Sequence, residues 1–249
     1  MIFIRREIKE IIISLVKETL STESSKKDLR QNTIDVFSQV LECTILDLSK
    51  DEWEERELTR QTQKTLQNKV GELHQKILGT IDGIQDLGVG KIIDLKGSNF
   101  IAEIKNKHNT TKGNHKVAIY DDLEQSLSSA DENTIGYYVE ILPPNGKLYD
   151  KPFIPSDNKT NSRRPENDRI RQIDGKTFYE KVTGNPSALE ELYKMLPGIT
   201  AEIIKEEFGQ ERDISKVVAQ DEFDFIYKNN RVNEYVNQQP EPKIELSQA

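Results

Sequence analysis

The stretch that most constrains this chain is Lys91 to Lys105, KIIDLKGSNFIAEIK. Two short apolar runs, KIIDL and FIAEI, flank Lys96-Gly97-Ser98-Asn99, a tight-turn composition, and read as the strands of a hairpin. Residues two apart in a strand share a face. Glu103 and Lys105 therefore project together, while Phe100, Ala102 and Ile104 project the other way into a core. Pairing of the two runs would bring Asp94 beside Glu103. Two carboxylates and an ammonium on one rim suit a hard divalent cation and an attacking water.

The rest of the chain sets the frame for that rim. Its 249 residues suffice for one large domain or a domain with appendages. With 35% hydrophobic and 31% charged residues it is rather polar, and no apolar run nears the ~20 residues that span a bilayer. The N-terminus mixes its isoleucines with Arg5, Arg6, Glu7, Lys9 and Glu10, which reads as a folded helix rather than a signal peptide. Cys43, the single cysteine, lies among Val40, Leu41 and Ile45 and is expected to be a buried apolar filler. No membrane association and a cytoplasmic location are expected. Net charge is −8, yet Lys91–Lys116 holds six basic residues against two acidic, and Lys159–Lys181 seven against four. Such local basic footprints fit phosphate binding on one face, and fit ordinary solvated surface equally well.

Periodicity predicts an amphipathic helix over 2–20, carrying Ile4, Ile8, Ile11, Ile12, Leu15 and Val16. A second helix, capped by Asn32 or Thr33, carries a stripe of Ile34, Phe37, Val40 and Leu41. Ser49 and Glu52 form a capping box that opens a long helix to Leu78. The glycine-rich Ile81–Gly90 reads as a strand edge and turn. It is not a phosphate-binding loop, because Val89 stands where a lysine is required. After a polar loop, KVAIYDDLEQSLSS reads as a helix through Tyr120, Leu123 and Leu127. TIGYYVEIL reads as a strand with Ile135, Tyr137, Val139 and Ile141 on one face, ended by Pro143-Pro144. Pro152–Pro165 reads as a long loop, and the segment before the Asp174-Gly175 bend as a helix or turn. Helices follow through Phe178 and from Ser187, then helical segments with breaks over 199–235. The expected organisation is an N-terminal helical region (1–65), a mixed α/β core with its binding loops (66–198), a mostly helical region (199–239) and a disordered tail (240–249).

Asp94-x8-Glu103-x-Lys105 is the spacing a metal-dependent phosphodiesterase needs. Asp94, Glu103 and the main-chain carbonyl of Ile104 would bind Mg2+, and Lys105 would orient or help deprotonate a water and stabilise the transition state. The bland reading is a surface ion pair between Glu103 and Lys105, worth little energetically. It accounts less well for two charges interrupting an apolar strand. Asp86 also stands near the start of the hairpin. Glu72 points away from its helix's apolar stripe and reads as solvated; His74 flanks the stripe and reads as boundary packing.

IIDLKGSNFIAEIKNKHNT resembles the PD-(D/E)xK nuclease superfamily, with Ile93-Asp94 in place of its Pro-Asp and Glu103-Ile104-Lys105 as its E-x-K. AEIKNKHNTTKGNHKVAIYDDLE and RPENDRIRQIDGKTFYEKVTG are similar to type II restriction endonucleases, specifically a family whose known members cut GGNCC or GGWCC sites. The resemblance covers roughly Leu66 to Leu196. It implies a restriction-endonuclease-like fold, a mixed central sheet flanked by helices with extra helices at both ends. It also implies Mg2+-dependent cleavage of double-stranded DNA to 5'-phosphate ends, a homodimer matching a palindrome, and a cognate DNA methyltransferase in the host. Asp94, Glu103 and Lys105 become the expected catalytic positions. Asn106, Lys107, Asn109 and Lys112, which follow the catalytic strand, and Arg163, Arg164, Arg169 and Arg171 become candidates for DNA contact. Two other readings share the fold: a nuclease for repair or branched DNA, and a DNA-binding module without catalysis.

Overall fold

The computed structural model describes residues 3–24, 29, 33–88, 92–157, 159–217 and 220–227. In chain order the helices and strands are α1 (Arg5–Ser24), α2 (Val36–Leu46), α3 (Lys50–Leu78), β1 (Gln85–Asp86), β2 (Leu95–Lys96) and β3 (Phe100–Lys107). Then follow α4 (Gly113–Ser128), β4 (Ile135–Leu142), β5 (Asp150–Pro152), β6 (Ser156–Asp157) and β7 (Ser162–Arg163). The remaining elements among the described residues are β8 (Ile170–Asp174), α5 (Gly175–Thr183), α6 (Ala188–Phe208) and α7 (Gln220–Tyr227). The chain divides into two compact units, one of Met1–Ser98 with Glu191–Val217, the other of Asn99–Glu190 with the residues after Val217.

In the first unit, α1 buries Ile8, Ile12 and Val16 on one stripe, as its periodicity requires. Each such side chain contributes about 1.5–3 kcal/mol on burial. The opposite edge of α1 carries ion pairs to the α6 segment: Lys9 to Glu202 and Glu206 at 2.6 and 2.7 Å, and Lys17 to Glu207 at 2.6 Å. The capping box at Ser49 forms in both directions and starts α3 where the sequence places it; Leu73 and Ile77 of its stripe are buried. Asp35, rather than Asn32 or Thr33, caps α2 by accepting from the amides of Phe37 and Ser38. The α2 stripe is exposed at Phe37 (77%), Val40 and Leu41 (60% each), and Cys43 is only partly buried, which corrects its expected role as core filler. Gly83 and Gly88 adopt φ of +82° and +83°, turning the chain on either side of β1. β1 pairs antiparallel with β2, Gln85 opposite Lys96. KIIDL supplies less strand than its composition suggests: Asp94 sits in a bend and only Leu95 enters the ladder.

The second unit is a mixed α/β layer. β3, β4 and β8 run parallel and β5 closes antiparallel on β8. α4 is the crossover from β3 to β4, which parallel neighbours require. Its Leu123 and Leu127 pack onto Gly136 of β4, where a Cβ would come within 3.3 Å of both. On the other face, Phe178 of α5 meets Phe100 and Tyr137 edge-on, each ring pair 5.6 Å apart. β4 is therefore buried on both faces from Gly136 to Ile141, not on one as its alternation suggests, because a central parallel strand is covered from both sides.

Two further segments differ from their sequence reading. Ile170–Asp174 is a strand, not a helix or turn: Ile170 and Ile173 are fully buried, and the run pairs with β4 from Gly136↔Ile170 to Glu140↔Asp174. Within Pro152–Pro165, read as loop, β6 and β7 form a short antiparallel hairpin. Past α5, the helical segments are α6, a 3-10 turn at Ile214–Lys216, and α7, whose Tyr227 hydroxyl donates to the Ile141 carbonyl at 2.9 Å. The tail expected over 240–249, like the rest of 228–249, lies outside the described residues. Among the described residues, no helix is long and apolar enough to cross a membrane.

Candidate active site

The alternation of FIAEIK does what its period predicts. Ala102 and Ile104 are buried at 0% and 4%, and Glu103 and Lys105 share the opposite face. Lys105 Nζ donates to Glu103 Oε1 at 2.5 Å, with the two side chains 34% and 13% exposed. The parallel register sets Tyr138 and Gln172 level with Glu103, and Glu140 and Asp174 level with Lys105. Level residues of neighbouring strands face the same way, so one polar face spans the C-terminal ends of three parallel strands.

Behind the Glu103–Lys105 pair lies a second, more buried network that sequence reasoning missed. Glu140, 1% exposed, accepts from Lys116 Nζ at 2.9 Å, from Gln172 Nε2 at 2.8 Å and from the Tyr149 hydroxyl. Burial raises the Glu140 carboxyl pKa, but the Tyr149 and Lys116 bonds, the Lys116 charge and the Gln172 bond outweigh it, leaving a net value below the ordinary one. Burial drives the Tyr138 phenol well above its ordinary range, with the Glu140 and Glu103 charges pushing the same way. Lys116 Nζ also lies 5.3 Å from the centre of the Tyr138 ring, within cation–π range. The signal in the sequence was Glu140 itself, a carboxylate inside the otherwise apolar YYVEIL.

Asp94 belongs to the first unit, partly buried in the bend before β2, and its carbonyl accepts from the Leu87 amide at 2.9 Å. The Asp86 carboxylate is occupied locally, accepting from Gln75 Nε2 at 2.7 Å and from the Gly88 amide at 2.8 Å. Glu72 pairs with Lys76 one turn on, as a solvated helix residue does. His74 sits beside the buried stripe of α3, where burial lowers its imidazole pKa to about 4.

The basic candidates separate by what holds them. Arg164 makes a two-pronged bond to Asp121, 2.7 Å at each prong, and reaches Asp157 at 3.3 Å. Arg169 donates to three carbonyls, those of Leu127, Asp131 and Thr134, closing the α4–β4 connection. Arg171 pairs with Asp150 at 2.5 Å. Among the described residues, Arg163 is the one of these four arginines whose guanidinium is engaged by no group of the protein. Lys107, Asn109 and Lys112 are exposed around the turn from β3 to α4, and Asn106 is partly so. Among the described residues no three His, Cys, Asp or Glu side chains converge as a metal cage. Mg2+ needs no such cage; it binds through one or two carboxylates and keeps several waters. Glu103 and the adjacent Ile104 carbonyl on β3 offer oxygen donors of the hard kind that Mg2+ takes.

Comparison with known proteins gives this face its context. The Eco47II restriction endonuclease family matches residues 1–205. The chain is 39% identical over 207 residues to the type II restriction enzyme Eco47II of Escherichia coli, covering 81% of this chain and 86% of that one. It is 34% identical over 172 residues to the type II restriction enzyme Sau96I of Staphylococcus aureus, covering 67% of this chain and 66% of that one. Of the readings that share this fold, the relatives support sequence-specific DNA cleavage over branched-DNA repair or binding alone. The chain thus belongs to the Eco47II restriction endonuclease family and is a type II restriction endonuclease, a hydrolase that cuts DNA at a specific sequence.

Proposed function

We propose that Asp94, Glu103 and Lys105 are the catalytic centre of this endonuclease, in a PD-(D/E)xK arrangement that uses Mg2+ and leaves 5'-phosphate ends. The observation that carries this is the Glu103–Lys105 pair, two charges held 2.5 Å apart on the polar face of an otherwise apolar strand. Asp94, Glu103 and the Ile104 carbonyl would hold the cation. When bound, that cation supplies a polarised water and a counter-charge for the scissile phosphate. Lys105 orients the water through its ammonium and donates to a non-bridging oxygen as negative charge builds in the transition state. Water adds to phosphorus and gives up a proton to solvent, the bond between phosphorus and the 3' oxygen breaks, that oxygen takes up a proton, and the phosphate stays on the 5' side. Asp94 is preferred to Asp86 as first ligand because it sits inside an apolar run.

The substrate is a double-stranded palindrome of the GGNCC type, cut by a homodimer in the cytoplasm and protected in the host by a cognate DNA methyltransferase. Lys107, Asn109 and Lys112, exposed beyond the catalytic strand, with Asn106 beside them, and the unengaged Arg163 contact the DNA. Arg164, Arg169 and Arg171 serve the DNA-binding surface by bracing it. The test is digestion of phage DNA with Mg2+. Discrete bands with 5'-phosphate ends are expected, and Asp94→Ala and Lys105→Ala should each abolish cutting while circular dichroism stays unchanged. Full activity in either variant would sink the assignment, and a smear in place of bands would return the branched-DNA reading.

A further inference from the structure

A sequence-specific nuclease needs an element that reads bases as well as one that cuts. Phosphate contacts position a protein on DNA, and base-edge contacts specify the site. The major groove admits an α-helix or a two-stranded β-ribbon. The second unit carries one such ribbon, the β6–β7 hairpin, with Ser156 opposite Arg163 and Asp157 opposite Ser162.

Its outer surface is built of hydrogen-bonding side chains. Lys159, Thr160, Asn161, Ser162 and Arg163 are all exposed, and no large apolar residue stands among them. Asn161 takes a left-handed backbone, φ +52°, at the tip, and the Thr160 and Ser162 hydroxyls lie 2.8 Å apart. The root is held firmly to the rest of the unit. Arg164 N donates to the Pro155 carbonyl at 3.0 Å, the Tyr120 hydroxyl donates to the Pro165 carbonyl at 2.8 Å, and Arg164 ties Asp157 to Asp121 of α4. Phe153, 2% exposed at the hairpin's base, stacks on Tyr138 with ring centres 4.7 Å apart. Tyr138 is level with Glu103, so the ribbon is rooted on the same sheet face as the catalytic strand.

We infer that the β6–β7 hairpin is the base-reading element of this endonuclease, entering the major groove with Asn161 and Arg163 at its tip and outer edge. Arg163 presents a planar fork of donors that matches the O6 and N7 acceptors of guanine. Asn161 offers the paired donor and acceptor that match adenine, or a single bond to another base edge. Arg164 is a positioning residue: engaged on two carboxylates, it sets the angle at which the ribbon leaves the sheet. The inference rests on the cleavage reading above and adds to it the place where the sequence is read.

The experiment uses the full-length protein and two duplexes, one with the site mapped by digestion and one with that site scrambled, binding measured with Ca2+ and cutting with Mg2+. Arg163→Ala should lower the ratio of specific to non-specific affinity by roughly ten- to a hundredfold, with the non-specific affinity little changed. Replacing a site guanine by 7-deazaguanine removes the N7 acceptor. It should weaken the wild-type protein at one or more guanines and leave Arg163→Ala indifferent there. Wild-type discrimination in both Arg163→Ala and Asn161→Ala overturns the inference while the cleavage reading stands. An equal loss on both duplexes also overturns it, making Arg163 a phosphate contact. If the wild-type protein cuts no duplex with Mg2+, the reading beneath the inference falls with it.

Discussion

Two glutamate–lysine pairs meet on one sheet face, one within β3 and one joining β4 to α4, and they differ in how they are held. Lys116 and Glu140 are 2.9 Å apart, with the glutamate 1% exposed and its oxygens shared among a lysine, a tyrosine and a glutamine. Lys105 and Glu103 are closer, at 2.5 Å, yet their side chains keep 34% and 13% exposure. A buried carboxylate saturated with donors has no capacity left for a ligand; it holds strands and helix together. A carboxylate and ammonium that still meet solvent can exchange that solvent for a cation and a phosphate. The difference teaches that burial, not the ion pair as such, sets the two apart: under the proposed reading the buried pair braces and the more accessible one reacts.

The sharpest way to break this comparison is to remove one glutamate from each pair. Glu103→Gln should lower cleavage by at least roughly a hundred- to a thousandfold, with the melting temperature nearly unchanged. Glu140→Ala leaves Lys116 half-buried without its counter-charge and should cost about 3–5 kcal/mol of stability, read as a fall of about 6–20 °C in Tm. A stable Glu140→Ala protein that has lost only cleavage would reverse the two roles.

Acid should act in turn on two groups, the partly buried His74 and the buried Glu140. His74 titrates at about 4 in the folded protein against an ordinary 6.5, so between those values the unfolded chain takes up a proton that the folded one refuses. Its contribution is complete above pH 6.5 and is lost as pH falls towards 4, by at most about 3 kcal/mol. Glu140 lies below its ordinary 4.5 when folded, so its contribution is complete above pH 4.5 and is lost as pH falls further. Denaturant midpoints at pH 7, 5 and 4 should fall in the wild-type protein, and His74→Gln should flatten the part between pH 7 and 5. The smallest effect expected is that of Tyr149→Phe. Losing one donor to the Glu140 carboxylate should cost about 1.5–2 kcal/mol without changing the rate of cleavage.

Much of this was legible in the sequence because it obeys local rules. The Ser49–Glu52 capping box, the α3 end at Leu78 and the Glu103–Lys105 face follow from spacing over a few residues. What was misread depends on distant partners. Ile170–Asp174 is a strand because β4 pairs with it, which RIRQID cannot announce alone. β4 is buried on both faces because α4 and α5 cover it, so its alternation understated its burial. Arg163, Arg164, Arg169 and Arg171 carry the same charge in sequence; their differences come from Asp121, Asp150 and carbonyls of 127–134, tens of residues away. The apolar stripe of α2 was legible, but its exposure was not, because periodicity shows which residues share a face and not what that face meets.

Arg169 has a mechanical consequence. The polar passage from Leu127 to Thr134 has the composition of a fraying connection, yet one guanidinium bridges the last turn of α4, the loop and the residue before β4. Opening that passage means breaking three hydrogen bonds from a single side chain at once. The end of the helix and the start of the strand are thereby spliced into one cooperative segment.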